Sequence, residues 1–166
     1  MKKEFTLFTT AVYDTKGLYR LIDQITSINK NLYHNLPGTI VSKTKGFLSP
    51  SLEAIFGYIE EAGLEPEGDG AQKQFLEQIV TELKAVPQVK ITLAFEPDDS
   101  FTSKLNETIG VQAGQKVILD ISVNHHIVAG AVVEYLGKYK DYSLESRVDQ
   151  YLKETVKKEM AEEDNK

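Results

Sequence analysis

The 166-residue sequence contains no cysteine, which excludes disulfide staples, thiolate metal sites and a cysteine nucleophile. No apolar run approaches the ~20 residues that a membrane-spanning helix requires, so direct membrane insertion is not expected. Positive charge is the minority: 19 Lys and Arg stand against 25 Asp and Glu, a net charge of −6. Phosphate backbones and anionic lipid call for clustered Lys and Arg, so nucleic acid is not an expected partner. Lys2 and Lys3 have no long apolar core behind them, and a signal peptide is not expected. What is present suits a folded interior, with 41% hydrophobic and 27% charged residues. Length and composition together fit one or two small domains of a soluble intracellular protein.

The first half of the chain carries the period of helices. Phe5, Leu7 and Thr9 alternate like a strand, yet Phe5, Phe8 and Val12 fit one helix face, and a short helix is the favoured reading over Phe5 to Tyr13. From Thr15, the residues Leu18, Ile22, Ile25 and Leu32 form a stripe that Leu21 and Ile28 broaden, ending before Pro37-Gly38. Thr39 to Gly46 reads as a polar connector. Ser49-Pro50 makes an N-cap with proline at the first helical position, and Leu52, Ile55, Phe56 and Ile59 follow until Gly63 stops the helix. Glu65 to Gly70 is a loop by its turn residues. Phe75, Leu76, Ile79, Val80, Leu83 and Val86 then make another amphipathic helix, closed by Pro87. Residues 1–86 are expected to form an antiparallel helical bundle.

At Pro87 the period changes from helical to alternating, which puts the domain boundary there and leaves 87–166 as a second, small α/β domain. Val89, Ile91, Leu93 and Phe95 share one face of a strand. Asp98 to Ser100 cap a helix that Gly110 is expected to end. Val117, Leu119, Ile121 and Val123 alternate again, and after the loop Asn124-His125-His126 so do Ala131, Val133 and Tyr135. Gly130 begins that strand, where the lack of a side chain lets another backbone approach closely. Gly137 permits a tight turn. Asp141 and Ser143 then open a last helix, Ser143 as its N-cap and Asp141 and Glu145 as negative charge at the positive end of its dipole. Leu144, Val148, Tyr151, Leu152 and Val156 run along that helix as a single apolar stripe. The expected fold class is α+β: the bundle, then a sheet of three or four strands over 89–95, 115–123 and 129–136, covered by helices near 99–109 and 143–158.

Candidate chemistry is thin. His125 and His126 are adjacent, so on an extended segment they point to opposite faces and do not chelate one ion; no metal and no cofactor are expected. Gly38 to Gly46 lacks the second glycine directly before Lys-Ser/Thr that a phosphate loop needs. Asn106-Glu107-Thr108 matches a glycosylation sequon inside a helix and reads as chance. The carboxylate pairs fall at helix ends, caps or tails. Arg147 is expected to bond to Asp141 or Glu145 and so fix the helix start. Tyr139, Tyr142 and Tyr151 gather around that start and lean toward a docking surface.

The run Ile127-Val128-Ala129-Gly130, then Gly137, then Asp141-x-Ser143-x-x-x-Arg147-Val148 resembles the C-terminal signature of the delta subunit of F-type ATP synthases, the oligomycin-sensitivity-conferring protein family. Ala129 stands where that pattern usually has its first glycine, and Val148 where it has leucine. Val89 to Ala94 resembles the strand that starts the same domain. The family's N-terminal domain is usually a six-helix bundle. This chain has too few residues before Pro87 for six ordinary helices and no clear Tyr-Ala-x-Ala-Leu-like start. A divergent member with a shortened helical domain is therefore expected.

The resemblance implies a non-catalytic stator subunit that links b-type stalk helices to the alpha subunits of the catalytic head. It also implies a place on the cytoplasmic side of the cell membrane, within a membrane-bound complex. Gly130, Gly137, Asp141, Ser143 and Arg147 would then be structural signature residues. Leu144 and Val148 are expected to pack on the sheet, leaving Tyr151, Leu152 and Val156 to contribute to a groove for a stalk helix. The alternatives from other classes are a small α/β enzyme or ligand-binding domain, and an unrelated two-domain adaptor.

Overall fold

The computed structural model describes residues 3–32 and 37–163, with side chains over 4–32 and 37–154. In chain order the elements are α1 (Lys3–Thr10), α2 (Thr15–Asn31), α3 (Ile40–Lys43), α4 (Pro50–Glu61), α5 (Asp69–Ala85), β1 (Gln88–Leu93), α6 (Asp99–Ala113), β2 (Ile118–Val123), β3 (Ala131–Tyr135), β4 (Lys138–Asp141) and α7 (Leu144–Glu163). The class is α+β. Two compact units emerge: Met1–Pro87 with Asn106–Ile118, and Gln88–Leu105 with Leu119–Lys166.

In the first unit the apolar periodicity becomes a core. Leu18, Leu21, Ile22, Ile25 and Ile28 of α2 are buried, as are Phe75, Leu76, Ile79 and Leu83 of α5. Phe8 of α1 meets Phe56 of α4 edge to face at 5.4 Å, and Phe5 meets Phe75 at 5.9 Å. Each such side chain is worth about 1.5–3 kcal/mol when taken out of water. Packing of these faces therefore outweighs helix propensity in holding short helices such as α1. Asp14 caps α2 by accepting from Gly17 N at 2.7 Å. Ser49 precedes Pro50 at the start of α4 but makes no capping bond; its hydroxyl lies 3.3 Å from Gln24 Oε1. Gly63, at φ 64°, ends α4 with the paired bonds Gly63 N to Glu60 O and Leu64 N to Ile59 O, the Schellman arrangement that a left-handed glycine permits.

The expected polar connector over Thr39 to Gly46 is corrected. It contains α3, whose Ile40 is fully buried. Thr39 caps it, and the Ile40 N–H donates to Glu65 Oε1 at 2.6 Å. Two adjacent apolar residues, Ile40 and Val41, among polar neighbours give no periodic signal, so nothing in the sequence pattern marks it. The expected end of α6 at Gly110 is also corrected: α6 runs to Ala113, and Gly114 (φ 66°) is the left-handed residue beyond it. The Gly110 carbonyl accepts from Gln115 N as part of that closure.

The second unit is built on a four-stranded sheet in the order β2-β1-β3-β4. Pro87 O accepts from Ile118 N and Leu93 O from Asn124 N, so β1 and β2 advance together in parallel, joined through α6. The β1–β3 and β3–β4 pairs are antiparallel, with Ile91 opposite Val133 and Val133 opposite Lys140. Val89, Ile91 and Leu93 are buried on one face of β1, as the alternation predicts. Phe95 lies past the strand end and is exposed, edge to face with Phe101 at 5.3 Å. Thr92 and Ser122 share a hydrogen bond on the other, polar face.

Candidate docking surface

The joint between sheet and last helix is made of backbone. The Tyr142 N–H donates to Ala131 O and the Leu144 N–H to Ala129 O, each at 2.8 Å. Between these two bonds the chain passes directly over Gly130, whose φ of 101° is closed to most side chains. A Cβ on Gly130 would overlap the Tyr142 carbonyl and come within 2.9 Å of Ser143 Cα. Asp141 Oδ1 accepts from Ser143 N at 2.7 Å, and that backbone bond holds the Asp141 carboxyl below its ordinary pKa. The Ser143 hydroxyl accepts from Ser146 N at 3.2 Å, a normal N-cap bond on the third residue of the helix.

Gly130, Asp141 and Ser143 are therefore brought together at one joint. Gly137 sits apart, at the far end of the β3–β4 hairpin. Tyr135 pairs with Lys138, so Leu136 and Gly137 form a two-residue loop, and both have positive φ, 49° and 73°. That is the backbone of a type I′ turn. Lys140 Nζ stands 5.4 Å from the centre of the Tyr142 ring, and Tyr139 and Tyr142 are exposed.

Two expectations for α7 are corrected. Arg147 makes no ion pair with Asp141 or Glu145; ion pairs form elsewhere, as at Lys43–Asp69 and Lys73–Glu77. The helix start is fixed instead by Ser143 and Asp141, which leaves the exposed guanidinium in solvent. Leu144 and Val148, expected to pack on the sheet, are 48% and 47% exposed, while Tyr151 and Leu152 are 69% and 54% exposed. The stripe is thus about half exposed or more along its described length. The Val156 side chain lies outside the described residues. On the polar side of α7 a shallow hollow of about 590 Å³ is lined by Asp141, Glu145, Asp149 and Glu154, with Lys153 as its one basic residue.

Two polar clusters escaped sequence reasoning. Asn106, taken for a chance sequon, is buried; its Nδ2 donates to Tyr13 O at 3.0 Å and Val117 O at 2.8 Å, and its Oδ1 accepts from Lys116 Nζ at 2.9 Å. Its spacing four residues after the buried Thr102, on the inner side of α6, was the available signal. Gln72 is likewise buried, donating to Glu65 Oε1 at 2.9 Å and Gly38 O at 3.1 Å while accepting from Lys43 Nζ at 2.7 Å. Burial raises the Glu65 pKa above the ordinary carboxylate value, against the opposing bond from Ile40 N. No group of three or more His, Cys, Asp or Glu able to hold a metal occurs among the described residues. His125 and His126 are exposed in a turn where Asn124 Oδ1 accepts from His126 N.

Residues 70–155 match the family described as ATP synthase delta (OSCP) subunit. The matched region includes β1 to β4 and the described part of the α7 stripe. Relatives with the name ATP synthase subunit delta from Thermotoga petrophila and Thermotoga maritima are each 30% identical over 82 residues. That stretch is 49% of this chain and 44% of either relative, so the chain matches less than half the length of those proteins.

Proposed function

The chain belongs to the ATP synthase delta (OSCP) subunit family, and from that membership we propose that it is a non-catalytic stator subunit of a rotary F-type ATP synthase. In this reading it links b-type stalk helices to the alpha subunits of the catalytic head and resists rotation of the head during proton-driven synthesis. Residues 1–86 act as an antiparallel helical bundle serving one partner, and residues 87–166 as an α/β module serving the other. No helix among the described residues is long and apolar enough to cross a membrane. In the proposed assembly the chain is held at the inner face of the cell membrane through its partner subunits.

The observation that carries this reading is the open stripe Leu144, Val148, Tyr151 and Leu152 on a helix whose start is rigidly tied to the sheet. A stator element needs a surface that buries a partner and a joint that transmits load without bending. Apolar residues in helical register supply the first, since a partner helix lays its own stripe along them. The crossing at Gly130 and the two flanking backbone bonds supply the second.

Two measurements test it. Copurification on a tagged chain is expected to recover stalk and head subunits of the ATP synthase. Titration calorimetry with a synthetic peptide of the C-terminal stretch of the b-type subunit is expected to show binding that Tyr151→Ala with Leu152→Ala weakens by about five-fold or more per anchor. Circular dichroism should be unchanged by the pair. Absence of both subunit classes from the copurified material, with no peptide binding, would reject the stator reading.

A further inference from the structure

Resting on the reading of α7 as a docking surface, we propose that its partner is an amphipathic helix with a basic border, selected by the acidic residues along one side of the stripe. Residues on an α-helix advance by about 100° each. This places Glu145 and Asp149 along one border of the Leu144–Val148–Tyr151–Leu152 stripe, and Arg147 along the other. All three charged residues are exposed and none is in an ion pair among the described residues. Asp141 adds negative charge at the start of the same helix, while Lys153 falls beyond Asp149 and Glu154 beyond Arg147, both farther from the stripe. The local field around the apolar strip is therefore negative on the Glu145–Asp149 side, and a helix carrying Lys or Arg on its facing edge complements it.

A second copy of this chain does not. In an antiparallel pair of identical helices like borders face each other, so Glu145 and Asp149 would meet their own counterparts, a repulsion rather than a match. In a parallel pair unlike borders face each other, but that sets the single Arg147 against both Glu145 and Asp149 and leaves the border net negative, with the positive ends of both helix dipoles side by side. The occupant is a different chain with the opposite border charge. Such pairs sit at the rim of an interface and act mainly on selection and encounter rate.

The probes are two synthetic amphipathic peptides with one apolar stripe, one bordered on both edges by Lys and the other by Glu, titrated into the whole chain. The Lys-bordered peptide is expected to bind about five-fold or more tightly than the Glu-bordered one at low salt. That preference should shrink as salt shortens the screening length toward about 3 Å at 1 M. Glu145→Lys with Asp149→Lys should abolish or reverse it, while Glu61→Lys with Glu67→Lys, exposed in the first unit, should retain it. Asp149→Lys alone guards against a loss caused by changed charge in the first turn. Equal binding of the two peptides, or an equal effect of the Glu61 and Glu67 changes, would overturn the proposal while leaving the docking reading in place. Binding of neither peptide, or binding indifferent to Tyr151→Ala with Leu152→Ala, would overturn the docking reading and the proposal with it.

Discussion

The Tyr142 carbonyl fills the space that a Cβ on Gly130 would occupy. Backbone strain and overlap act together there, because φ at Gly130 is 101°. A β-branched side chain must either push the β4–α7 joint away or break the bonds at Ala129 and Ala131. Gly130→Val is expected to destabilise the chain by about 2–4 kcal/mol, combining overpacking with the cost of a positive φ. Denaturant titration checks this, and Gly130→Ala should show a smaller loss of the same sign. An unchanged midpoint in both would mean the joint opens at little cost.

At the other end of the same hairpin a non-glycine residue carries the strain. Leu136 holds φ 49° while exposed at the tip of a turn that Asn, Asp or Gly fits better. Leu136→Asn is expected to stabilise by about 0.5–1 kcal/mol, since Asn tolerates the left-handed region and no packing is lost. A rise in the melting midpoint of a few degrees is the readout. A fall would show that Leu136 makes contacts worth more than its strain.

How far the sequence could be read differs between the two ends of the chain. In α2 and α5 many apolar residues recur on one face, and each repeat adds to the signal. In β1 the alternation of Val89, Ile91 and Leu93 did the same, and the Asp141–Ser143 cap was visible as residue type and position. α3 was hidden because its apolar residues, the buried Ile40 and the partly buried Val41, are adjacent and show no period. The end of α6 was misplaced because Gly110 and Gly114 are equal in sequence, and only the chain's turn at 114 requires positive φ. The stripe on α7 was visible, but not that Leu144 and Val148 stay about half exposed among the described residues. A periodic pattern states that a face is apolar, not what covers it.

Glu65 predicts a pH dependence of stability. Its Oε1 accepts from Ile40 N and Gln72 Nε2, whereas its Oε2 is buried with no partner. Desolvation raises its pKa above 4.5, with Glu60 adding to the rise and Lys43 opposing it. The folded state therefore binds this proton more tightly than the unfolded chain does. The sign follows from linkage: Glu65 favours the fold at pH below its unfolded value, and that contribution is lost as pH rises through the folded value. Glu65→Gln should remove this component and flatten the stability profile just above pH 4.5. Chemical denaturation across that window gives the slope, and identical slopes for the two proteins would contradict the assignment.

Val148 and Ile91 are both β-branched and both fall on apolar faces of the second unit, but their surroundings differ. Ile91 is 1% exposed on the covered face of β1, and Val148 is 47% exposed on α7. Truncating Ile91 to Ala removes buried methyl groups and leaves a cavity, at an expected cost of about 2–5 kcal/mol. Truncating Val148 to Ala removes side-chain atoms that already face water, and Ala favours the helix more than Val does. The free chain should therefore change by no more than about 0.5 kcal/mol, and a slight gain is compatible with the same physics. If α7 is a docking helix, the order inverts once a partner helix is bound: Val148→Ala weakens the complex without weakening the fold. Paired denaturation and binding titrations on the two variants separate these effects. A loss of free-chain stability at Val148 comparable to that at Ile91 would mean the stripe belongs to this chain's own core, and the open face on α7 would lose its meaning.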